Sequence, residues 1–368
     1  MLSFIETVSP IVIPENIPIK RDAPRPLDKR DADYEELFDW KTLFYDVFKY
    51  NDKIIFSGPP LFNLQSLVQT AKITIDGVLQ QNQSIFKDMD RTQNSYLDFQ
   101  GEAKRLSVDF GSFKTETTIQ PNKSDLLKGK KALISKSKNN ELVWIRDWVE
   151  FYVKIHGVNA VLLYDNASTL YTAENIINKL NGINGLDIVI IVLWPFKFGP
   201  QGGASQIWDS DFCEYGLIEH ARRCFLSSCD GVISIDIDEL VMSEDDKTVF
   251  DYMEQSETKA ISFTGVWVDS ALDDKIDNFR HRDFKYIDKN SSCPVKWAAK
   301  PSAIPDTTQI VTHAWRGQVP IASLKYRHFR AINTGWKYKG RNIIKTFDVN
   351  KHEIDYELIS VMQKLKWR

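Results

Sequence analysis

The chain has 368 residues, of which 43% are hydrophobic and 26% charged, and its formal net charge is −3. That length holds two domains or one large α/β domain with additions, and the slightly acidic balance supplies no general attraction to nucleic acid or to an anionic membrane. The four cysteines, Cys213, Cys224, Cys229 and Cys293, show neither a C-x-x-C pair nor a zinc spacing, which points to a reduced, cytoplasmic chain with buried thiols. The N-terminus has no signal-peptide pattern, and the most apolar run, Ile188–Phe196, is too short for a transmembrane segment.

In chain order, five prolines (Pro10, Pro14, Pro18, Pro24 and Pro26) mark residues 1–35 as an extended arm. Short β-like pieces follow at Lys53–Phe56, Ala71–Ile75, Leu106–Phe110 and Thr115–Ile119. Turn residues such as Gly58-Pro59-Pro60 and Asp76-Gly77 separate them. Residues 36–128 therefore read as a β-rich accessory domain. From 129 to 345 the pattern alternates between strand and helix: strands at Ala132–Ser135, Ala160–Tyr164 and Asp187–Leu193, helices at Asn140–His156, Thr172–Leu180 and Asp211–Leu226. Such alternation predicts βαβ units and a mainly parallel sheet, with ligands at the carboxyl ends of the strands. Lys136, Asp165 and Asp236 fall at such ends and are expected in one crevice. Residues 346–368 carry the amphipathic spacing of a C-terminal helix (Ile354, Leu358, Met362, Leu365).

The segment Gly231–Leu240, GVISIDIDEL, is the most informative. A β-branched run delivers Asp236, Asp238 and Glu239 at its end, and strand alternation puts Asp236 and Asp238 on one face. Two such carboxylates are costly to bury unless a cation lies between them, and a hard divalent ion that also holds a diphosphate meets that need. A solvated acidic turn continuing into Glu244, Asp245 and Asp246 is the other reading of the same residues. Further on, Arg327, Arg330, Lys337, Lys339 and Arg341 form a basic run interleaved with aromatics. In a slightly acidic chain this cluster suits a diphosphate better than nucleic acid, the alternative being a solvated basic face.

Several pieces occur in a set order: Lys138-Asn139-Asn140-Glu141 leading into a Trp-rich helix, Tyr164-Asp165-Asn166-Ala167-Ser168, Gln206, Asp236–Glu239, Lys300-Pro301, His313 and Arg327-His328-Phe329. Over roughly residues 130–345 this set resembles the GT-A-fold glycosyltransferases of the family-92 and related family-2 type. The resemblance implies a Rossmann-like nucleotide-sugar-binding domain. In it Asp165 holds the base or ribose, although an Asx turn would use the same residue. Asp236 and Asp238 grip Mn²⁺ or Mg²⁺, and His313 or His328 completes the metal shell or meets the diphosphate. Lys136, Arg327, Lys337 and Lys339 contact the nucleotide sugar. An inverting transfer needs a carboxylate base beyond the strand Ala260–Val268, with Asp269 first and Asp274 second. The implied reaction moves a sugar, galactose for preference, from a UDP-sugar to a glycan or glycolipid acceptor. A metal-dependent phosphoesterase and a non-catalytic glycan-binding protein are the alternatives.

Overall fold

The apolar runs from Lys131 onward do form strands, and a computed structural model shows how they assemble. It describes residues 1–82, 84–200, 202, 208–245, 247–274, 276–288, 291–335 and 342–365. Among them, eleven strands share one sheet. They are β1 (Leu2–Glu6), β2 (Lys131–Ser137), β3 (Ala160–Asp165), β4 (Ile188–Leu193), β5 (Gly231–Ser234), β6 (Glu239–Ser243), β7 (Ala260–Val268), β8 (Tyr286–Asp288), β9 (Cys293–Ala299), β10 (Val319–Phe329) and β11 (His352–Ile354). The spatial order is β1-β4-β3-β2-β5-β9-β7-β8-β11, with β10 joining β7 to β6. The first five neighbours are parallel throughout, and β9 runs antiparallel between β5 and β7. The α/β class with a mainly parallel sheet is therefore as the sequence predicts, and the region before it is rich in strands.

Local chemistry explains the boundaries. The β4 sequence IVIIVL is apolar at every position because parallel strands are covered on both faces. Helix α1 (Leu142–His156) packs one face on the sheet and ends where Gly157, at φ +68°, takes the left-handed conformation. Helix α2 (Ala173–Leu180) starts on a capping box of Thr172 and Asn175. Helix α3 (Phe212–Ala221) is buried at every residue, so it has no amphipathic stripe, and it runs on into a π-helical turn at Arg222–Leu226. None of the helices among the described residues is long and apolar enough to cross a membrane.

Both chain ends enter this sheet. Leu2–Glu6, within the Pro-rich arm, pairs in parallel with β4, and β11 pairs with β8. Helix α4 (Val249–Gln255) and the C-terminal helix α5 (Tyr356–Leu365) place Phe250, Leu358 and Leu365 in the core beneath it. The accessory region holds two four-stranded sheets. In one, Asp46–Tyr50, Lys53–Gly58, Thr92–Asp98 and Ile85–Met89 follow in order. A buried chain of polar groups ties this sheet to the larger one. His220 on α3 bonds Asp46 Oδ2 through Nε2 (2.9 Å) and the Tyr164 hydroxyl through Nδ1 (2.7 Å). Asp46 also accepts the Ser9 amide at 2.7 Å. Truncating Asp46 strands the buried imidazole. Asp46→Ala is expected to lower the unfolding free energy in urea by roughly 1–3 kcal/mol. An unchanged midpoint would show that this junction contributes nothing.

Candidate active site

The chain leaves β2 towards β3 and β4 on one side and returns with β5 on the other. The carboxyl ends of β2 and β5 thus frame a topological switch point, where open α/β sheets bind ligands. A cavity of about 490 Å³ opens there. Lys136 from β2, the Asp236–Glu239 turn after β5, Lys296 from β9, His328 from β10, Glu214 from α3 and Arg91 from the accessory region all face it.

Strand alternation is not what aims the two aspartates. Strand β5 ends at Ser234, and Asp236-Ile237-Asp238-Glu239 is a tight turn closed by the Glu239 amide donating to the Asp236 carbonyl at 3.1 Å. Ile237, 3% exposed, pins the turn to the core, so its two neighbours project into the cavity. Two lysines share the acidic groups between them. Lys296 Nζ lies 2.5 Å from Asp236 Oδ2 and 3.0 Å from Glu239 Oε2. Lys136 Nζ lies 3.4 Å from Asp236 Oδ1 and 2.5 Å from Glu214 Oε1. Glu239 also accepts the Asp236 amide at 2.9 Å. Burial raises the Glu239 carboxyl above its ordinary value against the pull of Lys296. Burial alone would weaken both lysines as bases, but the carboxylates outweigh it and hold them charged.

His328 sits opposite Glu239 in the β6–β10 register. Its Nε2 is 3.1 Å from Asp238 Oδ2, and its Nδ1 is 3.4 Å from Glu239 Oε1 without hydrogen-bond geometry. Burial would lower this imidazole, yet Asp238 and Glu239 raise it to about 10. Trp267 stacks on the ring at 3.8 Å and 22°, and the Arg330 guanidinium lies over Trp267 at 4.3 Å. This sandwich fixes the ring plane.

The other residues expected from the sequence divide. His313 lines the same cavity and its Nδ1 meets the Val295 carbonyl at 3.2 Å. Asp165, buried at the end of β3, accepts the amide of Ser168, three residues on, through Oδ2 at 3.1 Å, and it is not among the cavity-lining residues. Its Oδ1 is buried without a hydrogen-bond partner among the described residues. Arg327 does not reach the cavity. With His328 facing inward, period-2 alternation sends Arg327 to the other side, where it pairs with Asp355 (2.6 Å) and Glu357 (2.6 Å). Asp269 points away too, bound to His352 Nε2 at 3.1 Å and Lys345 Nζ at 3.3 Å, and Asp274 is exposed outside the cavity. Neither Asp269 nor Asp274 therefore faces the cavity. Lys337, Lys339, Arg341 and Gln206 lie outside the described residues.

Four residues of the site were not anticipated: Lys296, Glu214, Arg91 and Asp211. Two left a signal. Lys296 interrupts the apolar β9, and Glu214 sits with Glu219 and His220 in a helix buried at every residue. Charges there need buried partners. Arg91 and Asp211, 2.9 Å apart, are 120 residues apart in sequence and left none.

Asp238 and His328 fit a divalent cation. Their facing donor atoms are 3.1 Å apart, close to the roughly 3 Å between neighbouring ligands bound at about 2.1 Å. Glu239 Oε1 lies 3.4 Å behind Nδ1, on the side away from Asp238. Asp236 is held instead by the two lysines. A compact group of three His/Cys/Asp/Glu donors is found at Asp46, His220 and Cys224, in the buried junction and not in this cavity.

The glycosyltransferase family 92 model matches residues 136–360, and the chain belongs to that family. No curated protein matches it in sequence. Among solved structures, it is similar to core-mannan synthase A (CmsA/Ktr4) from Aspergillus fumigatus in its Mn/GDP form, at 13% identity and TM-score 0.27, over 39% of this chain and 44% of that one. The mannosyltransferase Ktr4p from S. cerevisiae in complex with GDP matches at 12% identity and TM-score 0.27, over 38% and 40%. The chain thus spans less than half the length of these structures.

The ion-pair cluster predicts a double-mutant outcome. Lys296→Met takes the cation from the buried Glu239 and leaves Asp236 with Lys136 alone, and should cost roughly 3–5 kcal/mol of stability. Adding Glu239→Gln removes one stranded charge and should restore part of the loss in urea unfolding. Additive losses would contradict the coupling.

Proposed function

We propose that the enzyme transfers a sugar from a UDP-sugar to a glycan or glycolipid acceptor, with inversion and with the help of Mn²⁺ or Mg²⁺. The charge of the cavity carries this reading. Among the described residues its lining has five carboxylates against four Lys/Arg side chains and His328. A nucleoside diphosphate therefore enters a cavity with no positive surplus among these residues, and a divalent cation held by Asp238 and His328 would supply one. That ion, when bound, neutralises the departing diphosphate. Lys136 and Lys296 add point charges beside it. UDP and galactose rest on the ordered motif set of the family resemblance. Four unpaired, buried cysteines favour the reducing cytoplasm as its place of action.

Inversion requires a proton acceptor beside the acceptor hydroxyl. We assign this to Asp211, in place of Asp269 or Asp274. Asp211 lines the cavity, burial raises its carboxyl above the ordinary range against the pull of Arg91, and it lies on the wall nearest the accessory region. The acceptor oxygen bonds to the anomeric carbon as the bond from that carbon to the phosphate oxygen breaks. The hydroxyl proton passes to Asp211, and the nucleoside diphosphate leaves.

Two measurements follow. UDP with Mn²⁺ should raise the melting temperature of the wild type, and Asp238→Ala and His328→Ala should abolish that rise; a rise that survives both would refute the metal assignment. Asp211→Asn should lower kcat by roughly 10²–10⁴-fold with little change in the UDP-sugar KM. Because the folded carboxyl ionises only above its raised pKa, wild-type kcat should fall on the acid side earlier than an ordinary aspartate allows, and the variant should lack that limb. A full-rate variant would move the base elsewhere.

A further inference from the structure

A second hollow, of about 530 Å³, lies next to the active-site cavity, walled mainly by the accessory region. Arg91 and Trp208 line both spaces. We infer that this hollow is the acceptor subsite and binds an oligosaccharide, whose terminal sugar is presented past Arg91 to the transfer site. The inference rests on the sugar-transfer reading above and adds where, and by which residues, the acceptor is recognised.

The lining has the chemistry of a saccharide site. Phe62 and Trp208 expose 44% and 39% of their surface, offering apolar faces to the C–H side of sugar rings. Between them lies a fixed polar floor. Gln93, 2% exposed, accepts the Leu61 amide at 2.9 Å and donates through Nε2 to Gln65 Oε1 at 3.0 Å and to Asp88 Oδ1. These bonds orient the Gln65 and Asp88 side chains at the hollow, where carboxylate and carboxamide groups match the paired donors and acceptors of sugar hydroxyls. A volume of this size suits a ligand of two or three sugar rings.

The wall between the two spaces is built at a cost. Arg91 ends the two-residue hairpin loop that joins Ile85–Met89 to Thr92–Asp98, and it holds φ +54°, a conformation that disfavours a side-chain-bearing residue by roughly 1–2 kcal/mol. In return, its guanidinium lies 3.9 Å over the Tyr215 ring, 2.9 Å from Asp211 Oδ1 and 3.1 Å from the Trp208 carbonyl. Gln309 clamps the hairpin tip, accepting the Asp90 amide at 2.7 Å and donating to the Asp90 carbonyl at 2.8 Å. The accessory region is thus fixed against the catalytic edge through Arg91, which borders the hollow and bonds the proposed base. That continuity is what a glycan-reading module requires.

The test uses the full chain and a panel of chitotriose, mannotriose, maltotriose, lactose and N-acetyllactosamine, with binding read by saturation-transfer NMR. Neither Phe62→Ala nor Gln65→Ala removes a buried side chain, and retained melting temperatures would verify their folding. The expected result is that at least one sugar of the panel binds the wild type and that each variant weakens it five-fold or more, while UDP with Mn²⁺ still raises the melting temperature. No binding by any of the panel, or equal binding by both variants, overturns the subsite. Loss of the UDP–Mn²⁺ response in the wild type, with saccharide binding still sensitive to the variants, would instead remove the donor reading and leave the subsite standing.

Discussion

The interaction on which the site depends is the buried pairing of Lys136 and Lys296 with Glu214, Asp236 and Glu239. Two ammonium groups this deep are expensive to desolvate, and they stay charged only because carboxylates from three separate elements converge on them. The same pairing sets the position of the acidic turn. Asp236 is drawn towards β2 and β9, Glu239 is pulled inward, and Asp238 is left facing His328. Two lysines and three carboxylates therefore hold the geometry, while Asp238 and His328 pair with each other.

This division of labour gives the two aspartates of the D-x-D motif different jobs. Asp236 belongs to the ionic framework that shapes the phosphate end of the cavity. Asp238 and His328 form the proposed donor pair, with Trp267 fixing the imidazole plane. The framework joins Lys136 and Asp236 at the parallel strands to Glu214 on α3 and Lys296 on the antiparallel β9, and His328 comes from β10, far along the chain. The cavity exists only when both halves are folded together. The accessory region takes part as well, since Asp46 locks it to α3 and Arg91 carries it to the cavity wall.

Much of this was legible in the sequence, for physical reasons that can be named. The strands and helices between 131 and 268 show clean periodicity because a parallel sheet buried on both faces demands continuous apolar runs. The strand Thr92–Asp98 shows none, since its buried positions include Gln93, Asn94 and Ser95, so no apolar pattern marks it. Asp236, Asp238, Lys136, His313 and His328 stand out by residue type, and they do line one cavity. Their partners do not, because Lys296 lies 60 residues beyond Asp236. Arg327 shows a different failure. It stands next to His328 on a strand, and alternation forbids both from facing the same way. Asp269 is a third case: one residue past β7, it turns to His352 on β11, an edge strand of three residues with little pattern to announce it.

The account stands or falls on what Asp238 and His328 hold. Anomalous scattering at the manganese edge from crystals grown with UDP and Mn²⁺ tests this most directly. The prediction is a single strong peak bonded to Asp238 Oδ2 and His328 Nε2, with the diphosphate between it and Lys136 and Lys296. A peak confined to the Asp46–His220–Cys224 junction, or UDP bound in the cavity with no peak beside it, would contradict the central claim.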